Sequence, residues 1–100
     1  MATETDPGRV SRQQMRSAVN FGIAALARAT EAPANTPLRL RCECGSPACA
    51  SIIVVSLRDY RRAPLTGCLI VTPAHIDGAR VITQSAQLWA VIEMGASGAG

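Results

Sequence analysis

Three cysteines fall within eight residues, Cys42-Glu43-Cys44-Gly45-Ser46-Pro47-Ala48-Cys49, and the only histidine of the chain, His75, follows them. Thiols cluster this tightly when something holds them, and the common holders are a disulfide framework or a borderline-soft cation such as zinc. No other feature constrains the fold as much. A chain of 100 residues removes only about two-thirds of its unfolded surface from water. Bulky packing is also scarce: 48% of the residues are hydrophobic, much of that alanine, with one Phe, one Tyr and one Trp. A structural zinc site adds its binding free energy directly to folding, so a chain with so thin a core is a natural user of one.

All ten basic residues are arginine, and the formal net charge is +3. That is mild for a nucleic-acid-binding domain, and arginine content speaks for a phosphate-binding surface only where the charges share one face. The first nine residues carry Glu4, Asp6 and Pro7 and lack the basic-then-apolar pattern of a signal peptide. The longest branched-aliphatic run, Ile52 to Val55, is strand-sized and far short of the roughly 20 apolar residues that cross a bilayer. A cytoplasmic protein with no membrane partner is expected, and in a reducing cytoplasm four cysteines serve as thiolate ligands or buried thiols rather than disulfides.

Small, polar and glycine-rich residues mark 1–8 and 95–100 as disordered tails around one domain at 9–94. Within it, Ser11 with Gln14 fits a capping box, and Met15, Val19, Ile23 and Leu26 recur on one helical face, which predicts a long helix packing that face on a sheet. Arg9, Arg12 and Arg16 lie near its start, where the helix dipole disfavours cations; they read as a solvated face, with an anionic partner as the alternative. Glu31 to Pro37 reads as a linker.

From Leu38 the period becomes two, with Leu38, Leu40, Cys42 and Cys44 on one side and Arg39, Arg41 and Glu43 on the other. Gly45-Ser46-Pro47 is turn chemistry that folds Cys49 back onto the first two thiols before Ser51 to Val55 returns as an antiparallel strand. Ser56 with Asp59 opens a short helix, Leu57 to about Ala63, stopped by Pro64, with Tyr60 on its core side. Cys68 to Val71 reads as a third strand, and Arg80 to Thr83 with Leu88 to Met94 as a final hairpin. The predicted fold is α+β: a long N-terminal helix, a small antiparallel sheet of about five strands, one short helix, and a zinc-stapled hairpin.

Zinc takes four ligands in a tetrahedron of thiolate and imidazole, often with several from one tight segment and the rest from a distant one. Cys42, Cys44 and Cys49 supply three, and the fourth is His75 or Cys68. His75 beside turn residues is favoured, because Cys68 within an apolar run reads as a buried small hydrophobe. An iron–sulfur cluster would need all four cysteines, and a catalytic cysteine–histidine pair would need an exposed thiolate and an oriented base. Both stay open on the residues alone, as does an intraloop disulfide. Glu43, alternating between two ligands, reads as solvated.

Three segments carry a resemblance: Leu40 to Cys49, Val55-Ser56-Leu57-Arg58-Asp59-Tyr60, and Val71-Thr72-Pro73-Ala74-His75. Across about residues 9 to 94 the chain resembles a group of small uncharacterised bacterial proteins. Those have a leading helix, a Cys-Glu-Cys-Gly-x-Pro-x-Cys motif, a Pro-Gly-His turn and a two-stranded ending. The likeness implies that Cys42, Cys44, Cys49 and His75 are the metal positions and that Cys68 stands where a bulky apolar residue is usual. Ala74 replaces the glycine of the turn and tolerates positive φ poorly, so a different approach of the histidine is expected. Ser46 and Ala48 stand where the group often has acidic residues. The resemblance implies no particular activity.

With four protein ligands a zinc site is closed and holds a fold without activating water. The chain also lacks a phosphate loop, paired carboxylates and a serine–histidine–acid set. The expected function is therefore a non-enzymatic regulator, adaptor or accessory subunit that binds a protein partner, with no small-molecule substrate identifiable. The alternatives are a nucleic-acid-binding zinc protein using Arg39, Arg41, Arg61, Arg62 and the arginines of the long helix, and a metal-thiolate or thiol-based enzyme or enzyme partner using the clustered thiolates and Cys68.

Overall fold

The computed structural model describes residues 8–63, 67–76, 78–85 and 88–93. The expected tails at 1–8 and 95–100 lie outside them except for Gly8. The chain runs α1 (Arg9–Ala29), β1 (Pro37–Arg41), β2 (Ile52–Ser56), α2 (Leu57–Arg62), β3 (Cys68–Val71), a single 3-10 turn (Pro73–His75), β4 (Val81–Ser85) and β5 (Trp89–Glu93). This is the predicted order of elements. The five strands do not form one sheet, however: β1 and β2 pair antiparallel by themselves, and β3-β5-β4 form a separate antiparallel sheet with β5 at its centre. Among the described residues no helix is long and apolar enough to cross a membrane.

Two cores lie on opposite faces of the β3–β5 pair. Cys68, Ile70, Trp89 and Val91 face a larger core with Leu38, Leu40, Ile53, Val55, Leu57, Tyr60 and Ala24. The alternate residues Leu69, Val71, Ala90 and Ile92 face a smaller one whose remaining buried members are Cys42 and Cys44. Both strands are covered on both sides, so their sequences read as continuous apolar runs rather than alternating ones. The smaller core is therefore built from four aliphatic side chains of β3 and β5 and two thiols of the cysteine loop.

The helix differs from expectation at its start and in its facing. It begins at Arg9 with Gly8 at the cap rather than at Ser11, because the Arg12 N–H already closes a turn on the Gly8 carbonyl at 3.0 Å. Met15 and Leu26, expected in the core, are 68% and 66% exposed, and Val19 is exposed too. Asn20 and Ala24 are the buried residues, flanked by half-buried Ile23 and Ala27. At 100° per residue Asn20 lies about 140° round the helix from Met15. Apolar residues line much of the helix circumference, so hydrophobicity alone does not choose the buried face. The Asn20 side chain does, through polar bonds described below.

The segment from Glu31 to Pro37 is a fastened connection rather than a loose linker. The Ala32 N–H reaches back to the Ala27 carbonyl at 2.9 Å, which ends α1 in a Schellman motif with Glu31 at φ 59°. The Leu57 and Arg58 N–H groups then donate to Thr36 and Ala34 carbonyls at 2.9 and 2.8 Å, tying the connection to the start of α2. That helix is capped as its sequence predicts, the Asp59 N–H donating to Ser56 Oγ at 3.0 Å.

Candidate metal centre

The β1–β2 hairpin pairs Leu40 with Ile53 and Arg41 with Ile52, and the Cys42 N–H extends the ladder to the Ser51 carbonyl at 3.1 Å. The cysteine loop is thus the tip of this hairpin. Gly45 turns it with φ +83°, and the Cys49 N–H closes a second turn on the Ser46 carbonyl at 3.2 Å. The fourth residue arrives from the turn that follows β3. Pro73 starts a 3-10 turn directly after β3, and the His75 N–H bonds the Thr72 carbonyl at 2.9 Å. Ala74 sits inside this turn without positive φ, since Glu31 is the only non-glycine among the described residues to adopt one. The turn therefore has no need of a glycine there, and the expected change in the approach of His75 does not arise from Ala74.

These elements bring Cys42, Cys44, Cys49 and His75 together with all four candidate ligand atoms within 4.8 Å of one another. His75 Nδ1 lies 3.5 Å from Cys42 Sγ and 3.4 Å from Cys49 Sγ. Cys42 and Cys44 are buried, while Cys49 and His75 are partly exposed at the rim. Such a group could hold a metal ion. Cys68 is not part of it; its side chain belongs to the larger core on the opposite face of β3.

The thiols differ in their protonation chemistry. Burial pushes Cys42 up to about 12, against the opposing bond from the Thr72 N–H to its sulfur at 3.3 Å. Burial also acts on Cys49, but bonds with Ser51 and with the Cys44 and Cys42 thiols outweigh it and bring Cys49 down to about 7. A bound cation would reverse the first of these, because it stabilises each thiolate it touches.

Around the loop stands a polar frame that sequence reasoning missed. Glu43 is 1% exposed, not solvated. The period-two alternation ends at Arg41, and the chain beyond it turns so that Glu43 enters the protein. Its Oε1 accepts the Ile70 N–H at 3.0 Å, and its Oε2 accepts from Asn20 Nδ2 at 2.7 Å. Its own N–H donates to the Ile70 carbonyl at 2.9 Å, so Glu43 links the two sheets through both backbone and side chain. Burial raises its carboxyl above the usual range, the Ile70 and Asn20 bonds acting against that.

Asn20 completes the frame by imitating a strand: its Nδ2 donates to the Arg41 carbonyl at 2.8 Å and its Oδ1 accepts the Arg41 N–H at 2.8 Å. The signal for it was present, because an asparagine in mid-helix is disfavoured unless its amide has work elsewhere. Further along α1, Arg12 Nε donates to the Gly45 carbonyl at 2.7 Å and Gln13 Nε2 to that of Cys44 at 3.3 Å. Arg12 is thus engaged with the cysteine loop rather than forming part of a solvated face.

The chain therefore defines itself as an α+β fold with a Cys3His group held between a hairpin tip and a 3-10 turn. No family model matches the sequence, and no curated protein or solved structure matches it either.

Proposed function

We infer that this is a zinc-stapled, non-enzymatic module that acts by binding a protein, as a regulator, adaptor or accessory subunit. The observation that carries this reading is the tetrad. With zinc–sulfur bonds of about 2.3 Å and zinc–nitrogen bonds of about 2.0–2.1 Å, a tetrahedron has sulfur-to-nitrogen edges of about 3.6 Å. The two Nδ1-to-sulfur distances of 3.5 and 3.4 Å come close to that edge. Three thiols and an imidazole are also a donor set that zinc favours over harder cations.

Four protein ligands leave no open position for water or substrate, which supports a structural staple over a catalytic centre. Glu43, which stands between two of the thiols in sequence, is occupied by Asn20 and Ile70 and is not offered as a base. The smaller core adds a reason for the staple, since only Leu69, Val71, Ala90 and Ile92 are buried there besides the cysteines.

Elemental analysis with thiol counting tests the reading. One equivalent of zinc is expected, with the loop thiols protected until a chelator strips the metal and far-ultraviolet circular dichroism lost in the same step. Cys68→Ala retains the metal, whereas Cys49→Ser and His75→Ala lower its affinity by orders of magnitude. A metal-free protein with four freely reacting thiols overturns the staple.

A further inference from the structure

Where α1 passes α2, Phe21, Ala25 and Arg28 of the first helix and Tyr60, Arg61 and Ala63 beyond line a cleft of about 320 Å³. We propose that this cleft docks an extended acidic peptide segment of a partner protein. An apolar side chain of that segment seats between Phe21 and Tyr60, and flanking carboxylates lie on Arg28 and Arg61. This inference rests on the binding-module reading and names the chemistry of its partner.

Three observations converge on that occupant. The first is charge. A second depression, of about 370 Å³, shares Arg61 with the cleft and adds Arg58 and Arg62, so the trough continues along α2 with four guanidinium groups beside it. Among the described residues, no side chain of Arg28, Arg58, Arg61 or Arg62 has a hydrogen bond or ion pair. Asp59 lines a neighbouring depression with Arg62, but among the described residues no carboxylate lines the cleft or its continuation, and an acidic ligand relieves the repulsion among their arginines.

The second is the apolar part of the cleft. Phe21 is 65% exposed although it is the only phenylalanine of a chain short of large side chains. It faces a floor of alanines, a setting that suits an aliphatic or aromatic anchor.

The third is Tyr60, a cleft-lining residue whose ring is buried but whose hydroxyl, without a hydrogen-bond partner among the described residues, reaches solvent. A peptide carbonyl or carboxylate in the cleft would accept a hydrogen bond from it in place of water.

A nucleic acid fits less well. Stacking of successive bases needs several exposed aromatic faces, and Phe21 is the only one, because Tyr60 and Trp89 are buried. A phosphate backbone along the arginines would also leave the apolar floor unfilled.

The test is fluorescence anisotropy on the full, zinc-loaded chain, using a labelled synthetic peptide of leucine, aspartate and glutamate. Saturable micromolar binding is expected, weakened about tenfold by Arg61→Glu and about fivefold by Arg28→Glu or Phe21→Ala. Arg39→Glu, on the exposed side of β1, leaves it unchanged, and replacing the peptide's leucines by serine abolishes it. Three results overturn the proposal: no saturable binding by protein at about 1 mM, equal weakening by Arg39→Glu, or tighter binding of oligothymidine with the same variant pattern. Zinc content measured on the same samples separates the two readings. Loaded protein that ignores the peptide refutes the cleft alone, whereas protein without zinc refutes the staple.

Discussion

Asn20 Nδ2 and Glu43 Oε2 meet at 2.7 Å in the interior, and this bond joins the long helix to the residue that separates two members of the Cys3His group. Through Asn20 the helix pairs with the edge of β1, and through Glu43 the cysteine loop is fixed to β3. Two buried polar side chains thus set the position of three elements that hydrophobic packing alone would leave free to slide. A fully satisfied network of this kind rigidifies, whereas a partly satisfied one is costly.

Removing either partner should therefore cost more than a typical hydrogen bond. Glu43→Ala strips acceptors from the Ile70 N–H and from Asn20, and Asn20→Ala leaves the Arg41 N–H and carbonyl without partners. Each substitution should destabilise the zinc-loaded protein by about 2–4 kcal/mol in urea denaturation. The double substitution should fall short of the sum by about 1 kcal/mol or more. Strictly additive effects would show that the two side chains act independently.

Gly45 is constrained by its neighbours as well as by its φ of +83°. A Cβ there would lie 2.7 Å from Gln13 Cγ, 2.9 Å from Arg9 Cγ and 3.0 Å from the Arg9 carbonyl oxygen. Two of these contacts are flexible side chains, but the third is backbone, so α1 must retreat from the cysteine loop. Gly45→Ala should cost about 2–4 kcal/mol, joining left-handed strain to steric displacement, and should lower zinc affinity in competition with a chromophoric chelator. Gly22→Ala is the control. Its Cβ would meet nothing within 4 Å, and alanine is the better helix former by about 1 kcal/mol.

The contrast between these glycines shows what sequence reasoning could reach. The tetrad was legible because thiols and imidazole announce their chemistry and spacing, and Leu38 and Leu40 were legible because a half-buried strand alternates. The helix face was not. Met15, Val19 and Leu26 make a better apolar stripe than the face that is buried, and the choice between them rests on Asn20 meeting the backbone of Arg41, 21 positions away. Glu43 was misread for a related reason: period two holds only while the chain stays extended, and β1 ends at Arg41. The division into two sheets was hidden because short apolar strands specify pairing partners weakly until a third element fixes them.

Glu31 offers a stabilising change. It occupies the left-handed position after α1 at φ 59°, where glycine avoids the clash of Cβ with the backbone. Its side chain is exposed and makes no hydrogen bond or ion pair among the described residues. Glu31→Gly relieves about 1–2 kcal/mol of strain and returns part of it through the greater freedom of glycine in the unfolded chain. A net gain of about 0.5–1 kcal/mol is expected, read as a rise in thermal midpoint of a few degrees. A fall in midpoint would mean that the Schellman closure does not carry the strain its geometry implies.

Tyr60 makes the fold sensitive to alkali in a way that can be isolated. Burial, reinforced by the negative charge of Glu43, pushes its phenol from 10.0 up to about 12. Because the folded state holds the proton more tightly than the unfolded one, the unfolded chain loses it first as pH rises. Stability is therefore complete below about pH 10 and declines between about pH 10 and 12. Tyr60→Phe removes the phenol and no other ionisable group, so the difference between the two proteins isolates it. In urea denaturations at about pH 8, 9.5, 10.5 and 11.5, the wild type should lose stability relative to Tyr60→Phe only at the two higher values. Parallel profiles would show that the folded state holds the phenol's proton no more tightly than the unfolded chain.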